Sequence, residues 1–327
     1  MWREKISTYS QRFNFLPVDY FVLLYNIVVG ISVLLFRHNV PNWALHFAFN
    51  AFMVVFVLHI SSMPINPKGI LQKIVRRWYF LILLLFIYQQ TGGLVFLYIP
   101  EWLDNQLAQI EFNIFGLHPT IYLERFNISI LNEYFMFGYF AYFFLILSYA
   151  VILMKRKMHF ELDMFVTTAA FTFLVCFYMF YFFPIAGPRF LFSGIYDGPL
   201  TGVLFVPLVD YVIKNGAAEG GSMPSTHTAI AIVILVHSWR YTRKVGYIFT
   251  PIVFGLVVGT FWGRFHFISD TIIGFFMAII CIIISDWIIG NKKLGWQKLP
   301  YYSPGVMDKP VVADKKCIRN FSKSDPS

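Results

Sequence analysis

Two short stretches of this chain combine residue types suited to moving phosphoryl groups: Gly221-Ser222-Met223-Pro224-Ser225-Thr226-His227 and Gly263-Arg264-Phe265-His266-Phe267-Ile268-Ser269-Asp270. Each abuts a strongly apolar run and places a histidine at its edge. His266 and Asp270 are four apart, so on a helix they share a face. A carboxylate one turn from an imidazole can accept the Nδ1 proton, fix the tautomer and leave Nε2 as a nucleophile. An unpaired carboxylate in an apolar run is costly, and pairing with His266 is the simplest way to tolerate Asp270 there. His227 falls in the first turn of its own apolar run, after Pro224 and Ser225. Ser225 is a good N-cap, and the free amides and dipole of that turn favour a bound anion. Arg189 and Arg264 add fixed positive charge suited to phosphate oxygens.

The elements that carry these residues read as membrane spans. Of 327 residues, 58% are hydrophobic and 13% charged, about half the charged share of an ordinary soluble domain. A helix needs about 20 apolar residues to cross a bilayer. Runs near that length occur at Tyr20–Phe36, Trp43–Ile60, Trp78–Ile99, Phe135–Met154, Met164–Phe183, Pro224–Trp239, Val245–Phe261 and Phe267–Ile289. The expected fold is therefore an all-α integral membrane protein with about eight transmembrane helices. The sixth run is short, which puts His227 near headgroup depth.

Basic residues in alternate loops set the orientation. With the N-terminus inside, the inner segments hold Arg3, Lys5 and Arg12; Lys68, Lys73, Arg76 and Arg77; Lys155 to Lys157; and Arg240, Arg243 and Lys244. With the tail after Ile289 they take 21 of the 26 Lys and Arg. Both termini are then cytoplasmic, and all the candidate site residues lie at the non-cytoplasmic face. The net charge of +9 is mostly this bias. No basic stripe with interleaved aromatics supports nucleic-acid binding. Cys176 and Cys281 sit inside spans and Cys317 in the inner tail, so no disulfide framework is expected. The polar lead before the first span lacks a small-residue cleavage pattern, so that span is expected to be retained.

Two outer segments are long. In Pro100–Leu131, Leu103, Leu107, Ile110 and Ile114 recur at helical spacing, with Glu101, Asp104 and Glu111 among them. This predicts an amphipathic helix in the interface, a plain connector or a lid over a lipid entrance. Pro184–Gly221 is rich in Gly and Pro. The charged tail from Gly290 contains Pro300, Pro304 and Pro310 and is expected to be poorly ordered. His38, His46, His59, His118, His159 and His237 stand outside any motif and read as interfacial or packed side chains. Gln89 and Gln90 read as interhelical hydrogen-bonding groups.

At the residues named above the chain resembles the type 2 phosphatidic acid phosphatase superfamily. That group includes lipid phosphate phosphatases, undecaprenyl pyrophosphate phosphatases and phosphotransferases such as inositol phosphorylceramide synthases. Pro224-Ser225-Thr226-His227 looks like its second motif and His266-x-x-x-Asp270 like its third. Phe183-Pro184-Ile185-Ala186-Gly187-Pro188-Arg189 looks like a variant of its first. The resemblance spans about Trp78 to Ile289, which implies a six-helix catalytic core over 78–289. It leaves 1–77 as a segment with two added spans, and 290–327 as a basic cytoplasmic tail.

The resemblance implies a ping-pong reaction on a phospholipid, isoprenoid or sphingolipid phosphate, without metal or other cofactor. His266 would attack phosphorus, Asp270 would orient it, and His227 would protonate the leaving group. Arg189, Arg264 and Ser225 would hold the non-bridging oxygens. Two positions depart from the family pattern. Its first motif usually has a lysine where this chain has Phe182, and its third usually has an arginine where this chain has Thr260. Arg264 would share a face with position 260 if the segment were helical. Fewer charges in the pocket would tilt the substrate towards a phosphodiester, as in the transferase branch. Three readings follow: a lipid phosphatase; a phosphotransferase that delivers the group to a lipid or sugar hydroxyl; and a metallohydrolase using His227, His266 and Asp270 as ligands. A non-catalytic lipid-binding role would leave the catalytic residue types unused.

Overall fold

In lipid, backbone amides and carbonyls find no water, so each apolar run must pair them internally, and a helix does this within one segment. The computed structural model describes residues 13–64 and 69–290. Those residues form ten helices of twelve residues or more: α1 Pro17–Leu35, α2 Trp43–Ser61, α3 Ile70–Gly93, α4 Asp104–Phe115, α5 Ser129–Lys155, α6 His159–Met179, α7 Phe205–Gly216, α8 Thr226–Tyr241, α9 Arg243–Trp262 and α10 Ile268–Gly290. Among the described residues there is no β-strand, only an isolated bridge between Ile185 and Gly221. The protein is an all-α membrane protein. Arg3, Lys5, Arg12, Lys68 and the tail after Gly290 lie outside the described residues.

Each of the eight expected spans falls on a helix, and six of these helices are long and apolar enough to cross a membrane: α1, α2, α5, α6, α9 and α10. α8, with 16 residues, is about 24 Å long and falls short of the hydrocarbon thickness. α3 starts within a basic segment that dilutes its apolar run. It ends at Gly93, where Leu94 to Tyr98 turn back instead of continuing the expected span to Ile99.

α8 occupies the centre and packs against α5, α6, α9 and α10. Its Ala229, Ile230, Ala231, Val233 and Ile234 have no exposed surface. α5 and α9 cross closely because glycine meets backbone at the contact. A Cβ on Gly138 would fall 2.4 Å from the backbone of Gly255, and one on Gly259 would fall 2.5 Å from the carbonyl of Phe135. Small residues four apart allow this approach where no hydrophobic effect separates helices from lipid.

The α1–α2 hairpin packs on α6, and polar side chains tie it there. Tyr25 and Tyr181 share a hydrogen bond of 3.0 Å between hydroxyls, and Tyr98 bonds to both Ser32 and Tyr178. Gln90 donates to the His46 carbonyl of α2, as its position in the sequence suggested, and Gln89 reaches the Gly216 carbonyl. At the opposite end of α1, Arg76 of α3 forks onto Asp19 at 2.8 and 3.2 Å, and Tyr79 donates to the same carboxylate. Both charged side chains of that pair are buried, whereas those of the Arg240–Asp286 pair are about a third exposed.

Removing one partner of a buried ion pair typically costs about 3–5 kcal/mol, and an exposed pair is worth about 0–1 kcal/mol. Thermal unfolding in detergent should therefore show a large drop for Arg76→Ala and a small one for Arg240→Ala. Equal drops would contradict the role given to Asp19 and Arg76.

Candidate active site

One end of the bundle gathers the start of α8, the turn between α9 and α10, the segment after α6, and α4. α8 starts where Ser225, in extended conformation, caps it by accepting from Thr228 N at 3.3 Å. Ser225 has no exposed surface, and its hydroxyl serves the cap. α9 ends at Trp262. Phe265 N and His266 N both donate to the Thr260 carbonyl, which turns the chain so that His266 enters the site just ahead of α10.

His266 is buried, and its Nδ1 lies 2.9 Å from the carbonyl oxygen of Ser222. A carbonyl oxygen only accepts, so the proton sits on Nδ1 and Nε2 carries the free lone pair. The sequence led us to expect Asp270 in that accepting role. Its Oδ2 is 3.6 Å from Nδ1, beyond hydrogen-bonding distance. The carboxylate accepts instead from the Ser222 hydroxyl at 2.6 Å and from Phe267 N at 2.9 Å. Ser222 thus stands between the two residues, its Oγ 3.2 Å from Nδ1. It was overlooked in the sequence, although it lies five residues before His227 in the same string.

His227 is half-buried, its ring stacked on Tyr139 at 4.7 Å and tilted against Tyr142 at 4.5 Å. Its ring centre is 5.7 Å from that of His266. The two histidines, one from the first turn of α8 and one from the turn ahead of α10, therefore face each other edge to face. The aromatic wall from α5 had no signal in the sequence beyond an apolar run rich in Tyr and Phe.

The two arginines fare differently. Arg189 N donates to the Arg264 carbonyl at 2.9 Å, which joins the first and third motif segments. The Arg189 guanidinium lies over the Phe190 ring at 4.5 Å and makes no ion pair among the described residues. Burial lowers its pKa, and the neighbouring Tyr139, Tyr88, Asp210 and Glu219 oppose that shift. Arg264 is committed elsewhere. It pairs with Glu124 at 2.9 Å, donates to the Gly198 carbonyl at 2.7 Å and lies over Tyr196 at 4.0 Å. Its backbone has φ 63°, outside any helix, so it does not share a helical face with Thr260. The Arg264 charge expected to meet phosphate oxygens is thus offset here by Glu124. Thr260 is buried and bonded to Thr271 at 2.9 Å, and Phe182 packs on Tyr98 at 4.4 Å.

α4, a two-faced helix in the segment where the sequence pattern placed one, packs on the site from outside. Ile110, Phe112, Ile114 and Phe115 are exposed, while Asp104 and Glu111 are buried. Asp104 accepts from Ala186 N at 3.0 Å and Gly187 N at 2.8 Å. Glu111 accepts from Ser269 N at 2.7 Å and from the Ser269 hydroxyl at 2.8 Å, at the start of α10. Between the two pins, Leu107 and Ala108 pack with Met223 and Phe267. The spacing of seven between the acids places them on one face. Among the described residues no group of three or more His, Cys, Asp or Glu could hold a metal. Asp270 is turned towards Ser222 and Phe267 N, so the metallohydrolase reading lacks a ligand set there.

Residues 123–284 match the family model described as the PAP2 superfamily, and through that stretch the chain belongs to the type 2 phosphatidic acid phosphatase superfamily. It is accordingly a phosphatase-type membrane enzyme of lipid phosphates. The match runs from just before α5 into α10 and holds every motif residue named above, with α1 to α4 outside it. No curated protein and no solved structure matches the chain.

Burial raises the pKa of Glu111, with the nearby Asp270 adding to the shift and the Ser269 hydrogen bonds opposing it. A carboxyl with a raised folded pKa holds its proton more tightly when folded, so it stabilises as pH falls through that value and costs stability as pH rises. Glu111→Gln keeps an acceptor for Ser269 without the buried charge. At pH 7 its thermal midpoint should equal or exceed that of the parent, with the gap closing as pH falls. Glu111→Ala should be less stable throughout, and a stabilised alanine variant would refute the pin.

Proposed function

We propose that the protein is a metal-independent lipid phosphate phosphohydrolase that works through a phosphohistidine on His266. The observation that carries this reading is the Nδ1–H bond of His266 to the Ser222 carbonyl, which leaves Nε2 free, with the His227 ring centre 5.7 Å from that of His266. Nε2 attacks phosphorus, the bond to the leaving oxygen breaks, and His227 donates a proton to that oxygen. Water then attacks the phosphohistidine, His227 takes its proton, and phosphate leaves with His266 restored. Arg189 and the first-turn amides of α8 hold the non-bridging oxygens and stabilise the charge that develops there. The positive-inside count supports cytoplasmic termini and a site on the non-cytoplasmic face, at headgroup depth of a cell membrane. The core over 78–289 would carry the chemistry, with the first two spans bracing it.

One observation favours a second reading, in which a lipid or sugar hydroxyl replaces water. Arg264 is spent on Glu124, and Phe182 packs on Tyr98, where the family usually has a lysine. The pocket thus keeps one unpaired guanidinium, better matched to the single charge of a phosphodiester than to a dianionic monoester.

Purified protein screened for turnover of lipid phosphates, diphosphates and phosphodiesters, with and without acceptor alcohols, tests both readings. His266→Ala should lose essentially all activity, and near-normal turnover in that variant would refute the mechanism. A strong monoester preference would sink the transferase reading; transfer to an added alcohol in place of phosphate release would sink the hydrolase.

A further inference from the structure

We propose that Ser222 is a positioning residue for the nucleophile, joining Asp270 to His266 through both its carbonyl and its hydroxyl. The inference rests on His266 being the nucleophile of the reaction proposed above. Three distances define the arrangement: 2.9 Å from Nδ1 to the Ser222 carbonyl, 2.6 Å from the Ser222 hydroxyl to Asp270 Oδ2, and 3.6 Å from Nδ1 to that same oxygen. The carboxylate therefore reaches the imidazole through space and through one serine.

Each contact has its own consequence. The carbonyl holds the proton on Nδ1, and backbone geometry fixes its direction, so the ring cannot turn without losing that bond. When Nε2 bonds to phosphorus, the ring becomes positive with Nδ1 still protonated. The carbonyl dipole and the charge of Asp270 both stabilise that cation. The hydroxyl decides where that charge lies. Asp270 Oδ2 is clamped between the Ser222 hydroxyl and Phe267 N, while its Oδ1 has no hydrogen-bond partner. Without the hydroxyl, one fixed donor remains, and the carboxylate is free to rotate about its terminal torsion, which has broad wells.

The segment holding Ser222 is itself anchored. Ser222 N donates to the Ile185 carbonyl at 3.3 Å, and Ser225 N donates to the Asp270 carbonyl at 3.0 Å. The serine thus takes its place from the first motif segment and from the start of α10 together. A serine here also has the right size: Ser222 is buried, with its Oγ 3.4 Å from the Phe265 carbonyl as well.

Two measurements test this on the full-length protein in nanodiscs. The first is independent of turnover: ¹⁵N spectra of histidine-labelled protein, with His266→Ala to assign the signal, should show His266 as the Nδ1–H tautomer. An Nε2–H tautomer would overturn the assignment even if the protein proved to have a different activity. The second is kinetic. Ser222→Ala should lower kcat about 10- to 100-fold while KM stays within about twofold, and Ser222→Thr, which keeps the hydroxyl, should recover most of the loss. Adding Ser222→Ala to Asp270→Asn should cost little more than Asp270→Asn alone, because both act on one contact. Full kcat in Ser222→Ala, a loss confined to KM, or losses that multiply independently would each overturn the proposal. Activity retained by His266→Ala would instead remove the phosphohistidine reading, with the tautomer result still deciding the role of Ser222.

Discussion

Asp270 is a carboxyl group with no exposed surface at the end of a membrane helix, and the active end of the bundle is arranged around making it tolerable. Its side chain takes the Ser222 hydroxyl and Phe267 N, and its backbone carbonyl takes Ser225 N. The two bonds from Ser222 and Ser225 fix the loop before α8 against the start of α10, and the Phe267 bond closes the first turn of α10 itself. Ser225 in turn caps α8, which aims the first-turn amides and sets the position of His227. The requirement that a buried polar group be paired is thus what brings two segments some forty residues apart into one site.

Much of this was legible in the sequence, for physical reasons. Apolar runs of bilayer length can only be helices, so the eight segments were visible without knowing how they pack. His227, His266 and Asp270 were visible because polar residues at the edge of such runs are costly. Ser225 was visible as a cap. What escaped notice was everything that depends on approach between segments. The Ser222 carbonyl is a backbone atom that any residue would supply, so no residue type could announce it. Glu124 lies 140 positions from Arg264, and nothing local shows that they neutralise each other. The shared face of positions 260 and 264 assumed a helix that stops at Trp262. In α4, the apolar spacing showed a helix with two faces, but not that Asp104 and Glu111 reach the backbone at Gly187 and the hydroxyl of Ser269, 83 and 158 positions away.

The distribution of charge follows the same logic. A guanidinium near headgroup depth costs little if it can find water or phosphate, and more if buried among aromatic rings. Arg264 meets that cost with Glu124 and Gly198 and ties the turn before α10 to the segments that hold them. Arg189 does not, and lies over Phe190 and Phe265 with only the diffuse influence of Asp210 and Glu219. The two arginines that looked equivalent in the sequence therefore differ: Arg264 is paired with a carboxylate, and Arg189 makes no ion pair among the described residues.

α4 carries a consequence of its own. Its inner edge holds the loop before Arg189 and the start of α10 by two carboxyl groups, and its outer edge presents isoleucine and phenylalanine to the surroundings. That outer edge suits acyl chains better than water. One short helix thus carries both surfaces, so a displacement of its apolar edge is passed by Asp104 and Glu111 to the backbone at Ala186, Gly187 and Ser269.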